Sequence, residues 1–137
     1  MIRHLFFLLF FLFLTGESVA QSMYNASGSR IGRVDGASFY DESGQRIGRV
    51  DANTIFNASG QRIGRIDGAS IFDANGRRIG RIDGNNLFDG SGRKMGRIDG
   101  NNLYDGSGSR IGRADGLRQQ QTIIFFYFFM PSMGCSW

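Results

Sequence analysis

The sequence predicts an all-β fold of tandem β-hairpins closed into a shallow barrel. Three observations predict it. A 16-residue unit recurs six times, beginning at Tyr24, Tyr40, Phe56, Phe72, Phe88 and Tyr104, and a short fixed period means one supersecondary unit whose neighbours complete its core. Counting the aromatic as position 0, glycine stands at positions 4 and 8 of every copy and at position 12 of all but the second, which has Ala52. Each interior glycine costs a helix about 1 kcal/mol relative to alanine, so the apolar spacing 0, 7, 10 does not mark a helix face. Two different turn signals, separated by short apolar stretches, alternate along the unit.

Taken from the N-terminus, residues 1–20 read as a secretory signal peptide. Arg3 and His4 form a basic start, Leu5 to Leu14 is an unbroken apolar run, and Ser18-Val19-Ala20 supplies small residues before a cleavage point. Ten apolar residues fall short of the roughly 20 that a helix needs to cross a bilayer. The expected product is an exported chain starting at Gln21, either periplasmic, outer-membrane-associated or extracellular.

The repeat domain is expected over 21–130. Positions 1 to 4 read as in Asp73-Ala74-Asn75-Gly76, where Asp or Asn accepts bonds from later amides and glycine closes the turn in the left-handed conformation. Positions 11 and 12, as in Asp83-Gly84, give the second turn. The stretch between them, for example 78–83, is a strand. Positions 7 and 10 are both apolar although residues three apart face opposite sides of a regular strand, so a bulge at the position-8 glycine is predicted. A lone hairpin is marginal in water. Six in a ring remove the open sheet edges, with positions 15 and 0 pointing to a shared centre.

After Gly116 the period ends in an aromatic run, Thr122 to Met130, stopped by Pro131. It is expected to be a closing or plugging strand over 122–130 that packs Phe125, Phe126, Tyr127, Phe128 and Phe129 into the ring. The alternatives are contact with a membrane, or self-association through an uncharged β-prone segment. Residues 131–137 form a short tail in which the single Cys135 has no internal disulfide partner.

Tandem [Asp/Asn]-x-[Ser/Asn]-Gly-x-x-Ile-Gly-[Arg/Lys]-[Ile/Val]-Asp motifs, a final Ala114-Asp115-Gly116, a leader and a Phe-rich end resemble the bacterial β-flower proteins, particularly the five-fold kind. The resemblance spans residue 21 to about 130. It implies hairpin petals around a shallow central barrel, here a flower of five to six petals, and no settled biochemical activity.

Function classes narrow by composition. From Gln21 onward the chain has no His, one Cys and one Glu, Glu42, which removes His-based triads, Cys–His pairs and His/Cys zinc sites. The position-11 aspartates recur identically, whereas acid–base pairs need two carboxylates in unlike environments. Neither the EF-hand loop nor the Gly-Gly-x-Gly-x-Asp calcium repeat occurs. The expectation is a non-enzyme with no cofactor and no metal, acting as a binding or structural module of the envelope. A net charge of +4 comes from bases interleaved with acids, so nucleic acid is not expected as a partner. The candidate ligand-binding set is the position-9 ring, Arg33, Arg49, Arg65, Arg81, Arg97 and Arg113. Rotational repetition would make it a belt for phosphate, sulfate, an anionic glycan or a lipid headgroup. The competing reading is a solvated face on which each Arg pairs with a nearby Asp.

Overall fold

The computed structural model describes residues 21–131; the expected signal peptide, and the tail with Cys135, lie outside the described residues. Twelve antiparallel strands form one closed barrel. Six long strands carry positions 6 to 11: β2 (Arg30–Asp35), β4 (Arg46–Asp51), β6 (Arg62–Asp67), β8 (Arg78–Asp83), β10 (Lys94–Asp99) and β12 (Arg110–Asp115). Six short strands alternate with them: β1 (Ser22–Asn25), β3 (Ser38–Asp41), β5 (Thr54–Asn57), β7 (Ser70–Asp73), β9 (Asn86–Asp89) and β11 (Asn102–Asp105). A petal is one short strand, its tip turn and the long strand that follows. The ring has six petals, the upper of the two numbers expected.

Each tip turn is built as the sequence requires. In the first petal the Asn25 carboxamide oxygen accepts from the amides of Ser27 and Ser29, and Gly28 closes the turn at φ +89°. Asp41, Asn57, Asp73, Asp89 and Asp105 repeat the arrangement. Petals are joined by two-residue turns such as Gly36-Ala37, with Asp35 paired to Ser38. Only the first central residue has positive φ there, the type II′ pattern that favours glycine. Ala52 adopts φ +55° at the equivalent place.

The expected bulge is present. Met23 pairs with Gly32 and Tyr24 with Arg30, which leaves Ile31 as the extra residue. The same shift recurs in the other five petals. Past this extra, half-buried residue at position 7, ordinary alternation puts positions 8 and 10 on the inner face and positions 9 and 11 on the outer. The position-15 residues Phe39, Ile55, Ile71, Leu87 and Leu103, with Met23 at the matching place in β1, are fully buried. Position 0 is not inside, contrary to expectation: its aromatics are half-buried on the outer wall, because they pair with position 9 across the petal boundary.

The last pairing closes the ring without a covalent link. β1 pairs with β12 from Ser22–Asp115 to Asn25–Gly112, and the Gln21 side-chain amide donates to Gly116 O at 3.2 Å.

The segment 122–130 is helical, which corrects the closing strand. An α-helix, α1 (Gln119–Ile124), runs into a wide π-helical turn over Phe125–Phe129. The reason is hydrogen-bond accounting. With β1 already closing the ring, a strand at the centre would have no edge to pair with, and each buried amide and carbonyl must find a partner. A helix satisfies its own backbone, as in Met130 N donating to Phe125 O at 2.8 Å. Its start is fixed where the Arg118 amide donates to the Gln121 side-chain oxygen at 2.8 Å.

Candidate functional site

Five consecutive rings of the π-helical turn fill the barrel, each directed at the position-8 glycine of a different petal. A Cβ on Gly32 would meet the ring of Phe125, and one on Gly48 that of Phe129. Gly64 faces Phe128, Gly80 faces Tyr127, and Gly96 faces Phe126. The sixth, Gly112, has the Tyr24 carbonyl as its nearest neighbour. A turn wider than an α-helix lets five successive side chains reach five petals around the ring. Phe125 and Phe126 are fully buried, and Phe39 packs on Phe129 at 5.0 Å between ring centres. Full burial of such a ring stabilises by about 1.5–3 kcal/mol.

Tyr127 carries the one polar group of this plug, and its hydroxyl donates to Phe88 O at 2.7 Å. Burial pushes its phenol well above the ordinary tyrosine value. The five aromatic candidates therefore sit in the core, Phe128 half-buried and the other four buried. Contact with lipid would require them to leave the barrel.

The six candidate arginines form a belt around the outer wall and do not converge on a centre. Each guanidinium lies over the position-0 ring of the next petal: Arg33 over Tyr40, Arg49 over Phe56, Arg65 over Phe72 and Arg97 over Tyr104 at 4.1 Å, Arg81 over Phe88 at 4.4 Å, and Arg113 over Tyr24 at 4.3 Å. Arg65, Arg81, Arg97 and Arg113 also approach the position-11 aspartate two residues on, at 3.6, 4.0, 3.4 and 3.1 Å. Cation–π stacking of this exposed kind is worth about 0.5–1 kcal/mol each, and the exposed ion pairs less. The belt thus has a structural task, shielding the outer face of six aromatics. Its Arg and Asp chemistry is the opposite of a lipid-facing apolar band.

With the interior filled, concave surface remains at the two ends. At the end where α1 enters, a recess of about 470 Å³ lies between the helix and three inter-petal turns. Asn53, Gln119 and Gln120 form its polar edge, with Ile66, Ile82 and Ile123 beneath. At the other end, clefts of about 480 and 430 Å³ separate adjacent petal tips. Positions 5, 6 and 7 of one petal form one wall of each cleft, and positions 1, 2 and 3 of the next form the other: Arg77, Arg78 and Ile79 against Asp89, Gly90 and Ser91, then Arg93, Lys94 and Met95 against Asp105, Gly106 and Ser107. Neither end was singled out by the sequence reading. The amide rim needs the helix to be placed first, whereas the clefts had a legible signal in the uneven residues at positions 2 and 5.

Among the described residues, no group of three or more His, Cys, Asp or Glu side chains is placed to hold a metal ion. No described helix is long and apolar enough to cross a membrane. The tip-turn carboxylates of Asp41, Asp89 and Asp105 are held below the usual range, foremost by the hydroxyls of Ser43, Ser91 and Ser107. They stay ionised as turn caps.

Comparison with curated proteins and with solved structures returned no match. A family model described as 5-fold beta-flower protein matches residues 20–130, almost the whole of the described fold, although this ring has six petals. With its closed ring of hairpins and its repeating motif, the chain belongs to the 5-fold β-flower family.

Proposed function

We propose that this β-flower is an exported, non-catalytic binding module of the bacterial envelope that takes an anionic partner on its outer surface. One observation carries the reading: the chain's own aromatic turn occupies the barrel, while every Arg and Lys from residue 21 onward lies outside the buried core. A ligand therefore meets basic side chains at the surface and finds no enclosed chamber. The absence of His from Gln21 onward and the identical setting of the recurring aspartates argue against acid–base chemistry. The leader-like residues 1–20 support export.

Two measurements test this. Mass spectrometry of the secreted or periplasmic chain should give a mature protein beginning at Gln21, and a product retaining residues 1–20 would refute export by cleavage. The mature chain should bind immobilised dextran sulfate and not neutral dextran, with affinity falling steeply as salt rises. Equal retention on both matrices, or on neither, would refute an anionic partner.

A further inference from the structure

The six-fold symmetry is broken in one sector of the ring. Position 5 is Arg in petals four and five, Arg77 and Arg93; the other four petals have Ser29, Gln45, Gln61 and Ser109. Position 2 is Gly in petals five and six, Gly90 and Gly106, where the others have Ala26, Glu42, Ala58 and Ala74. Position 5 of each petal faces position 2 of the next, so both departures meet across the same two clefts. Arg77 stands opposite Gly90, and Arg93 opposite Gly106.

The glycines let the backbones of adjacent tips approach closely at these two clefts. A Cβ on Gly90 would lie 2.6 Å from Arg78 O, and one on Gly106 2.6 Å from Lys94 O. The neighbouring gap between petals three and four has Ala74 at position 2, and there the Arg62 guanidinium crosses over and donates to Ala74 O at 3.2 Å. In these two clefts the side chains of Arg77, Arg78 and Lys94 make no hydrogen bond or ion pair within the described residues. Arg93 makes only a 4.0 Å approach to Asp89. Four bases thus face two acids, and each acid holds one oxygen in its own turn through a Ser hydroxyl and two amides.

We propose that these twin clefts bind successive sulfate or phosphate esters of an acidic glycan, one ester group to each cleft. The inference rests on the anionic-partner reading above and gives it an address away from the stacked belt. Arginine presents a planar donor fork matched to tetrahedral oxyanions, and an adjacent second base adds charge and donors. Ile79 and Met95 offer each bound unit one apolar face of about the extent of a sugar ring. One apolar side chain per cleft gives little hold on an acyl chain, and two equivalent clefts side by side suit a repeating polymer better than a single headgroup.

The test measures affinity of the full mature chain for dextran sulfate and for vesicles containing phosphatidylglycerol. Arg77→Gln with Arg93→Gln restores the residue that petals two and three carry, so the fold accepts it. Affinity should drop about tenfold or more, as expected for two lost charge-assisted contacts. Arg30→Gln with Arg46→Gln removes the same charge elsewhere on the tips and should change affinity by less than about threefold. Gly90→Ala with Gly106→Ala leaves the charge untouched and should also weaken binding, because each new Cβ would displace the two walls of its cleft. Equal losses in the two Arg→Gln pairs, an unchanged Gly→Ala pair, or preference for the vesicles would overturn the twin-cleft site alone. Failure of the unmodified chain to bind dextran sulfate would overturn the anionic-partner reading with it.

Discussion

Replacing Ala52 with glycine should stabilise the ring. Ala52 is the one non-glycine residue with positive φ among those described, at +55°, while its counterparts Gly36, Gly68, Gly84 and Gly100 lie at +59° to +61°. A Cβ on any of those four glycines would meet nothing within 4 Å, so the penalty at this position is set by backbone conformation and not by packing. An L-residue in the left-handed region costs about 1–2 kcal/mol. Glycine returns about 0.4–1 kcal/mol of that through the greater freedom of the unfolded chain. The net gain is therefore about 0.5–1 kcal/mol, or roughly 2–6 °C in Tm for a domain of this size. Thermal unfolding followed by circular dichroism measures it, with Gly68→Ala as the reciprocal variant, expected to lose a similar amount. A Tm for Ala52→Gly equal to or below that of the parent, or a Gly68→Ala variant as stable as the parent, would refute the reasoning.

Gly64→Ala should cost more than about 2 kcal/mol in denaturant unfolding, because its Cβ would strike both the Phe128 ring and, at 2.5 Å, Phe72 O. Tyr127→Phe removes the hydrogen bond to Phe88 O and should cost about 1 kcal/mol at neutral pH. The raised phenol of Tyr127 contributes stability that is fully present below its unfolded value of about 10 and is lost as pH rises toward the folded one. Stability of the parent should therefore fall more steeply above pH ~10 than that of Tyr127→Phe, and parallel curves would remove the effect. Ser91→Ala should raise the Asp89 pKa toward the ordinary carboxylate value, read by NMR titration, because the Ser91 hydroxyl is the foremost cause of its lowering. Since that pKa is depressed in the fold, the stability it brings is present above the unfolded value and disappears as pH falls through the folded one.

Turn chemistry was legible because it is local. Asp or Asn at position 1 and Gly at position 4 specify the tip turn whatever surrounds them, and glycine at position 12 specifies the two-residue turn. The bulge was also legible, from two apolar residues at an odd spacing beside a glycine. Two features were not, for one shared reason. Thr122–Met130 has no polar face because it is enclosed on every side, so no helical period shows in its sequence, and its β-branched and aromatic residues argue for a strand when read alone. The glycine at position 8 was assigned only to the bulge, since the second demand on it, in five petals, comes from rings some 30 to 93 residues away. The inward reading of position 0 failed similarly. Its aromatics need cover, but a stacked Arg supplies it from the neighbouring petal.

What the fold constrains and what it leaves open can be separated position by position. Positions 4, 8 and 9 are identical in all six copies, and each has a task that recurs in every petal: closing a tip turn, clearing space at the inner wall, or covering an outer ring. The position-9 arginines therefore owe their uniformity to a structural contact. Positions 2 and 5 vary, and a Cβ at position 2 is tolerated in four petals, so the fold demands neither Gly90 and Gly106 nor Arg77 and Arg93. Yet the variation is correlated, with glycine appearing only opposite the added arginine. Stability alone does not account for that pairing, because more unpaired bases gathered in one sector add like-charge repulsion. Chemistry that is costly to the fold and confined to one sector is what the proposed twin-cleft site requires of petals four to six.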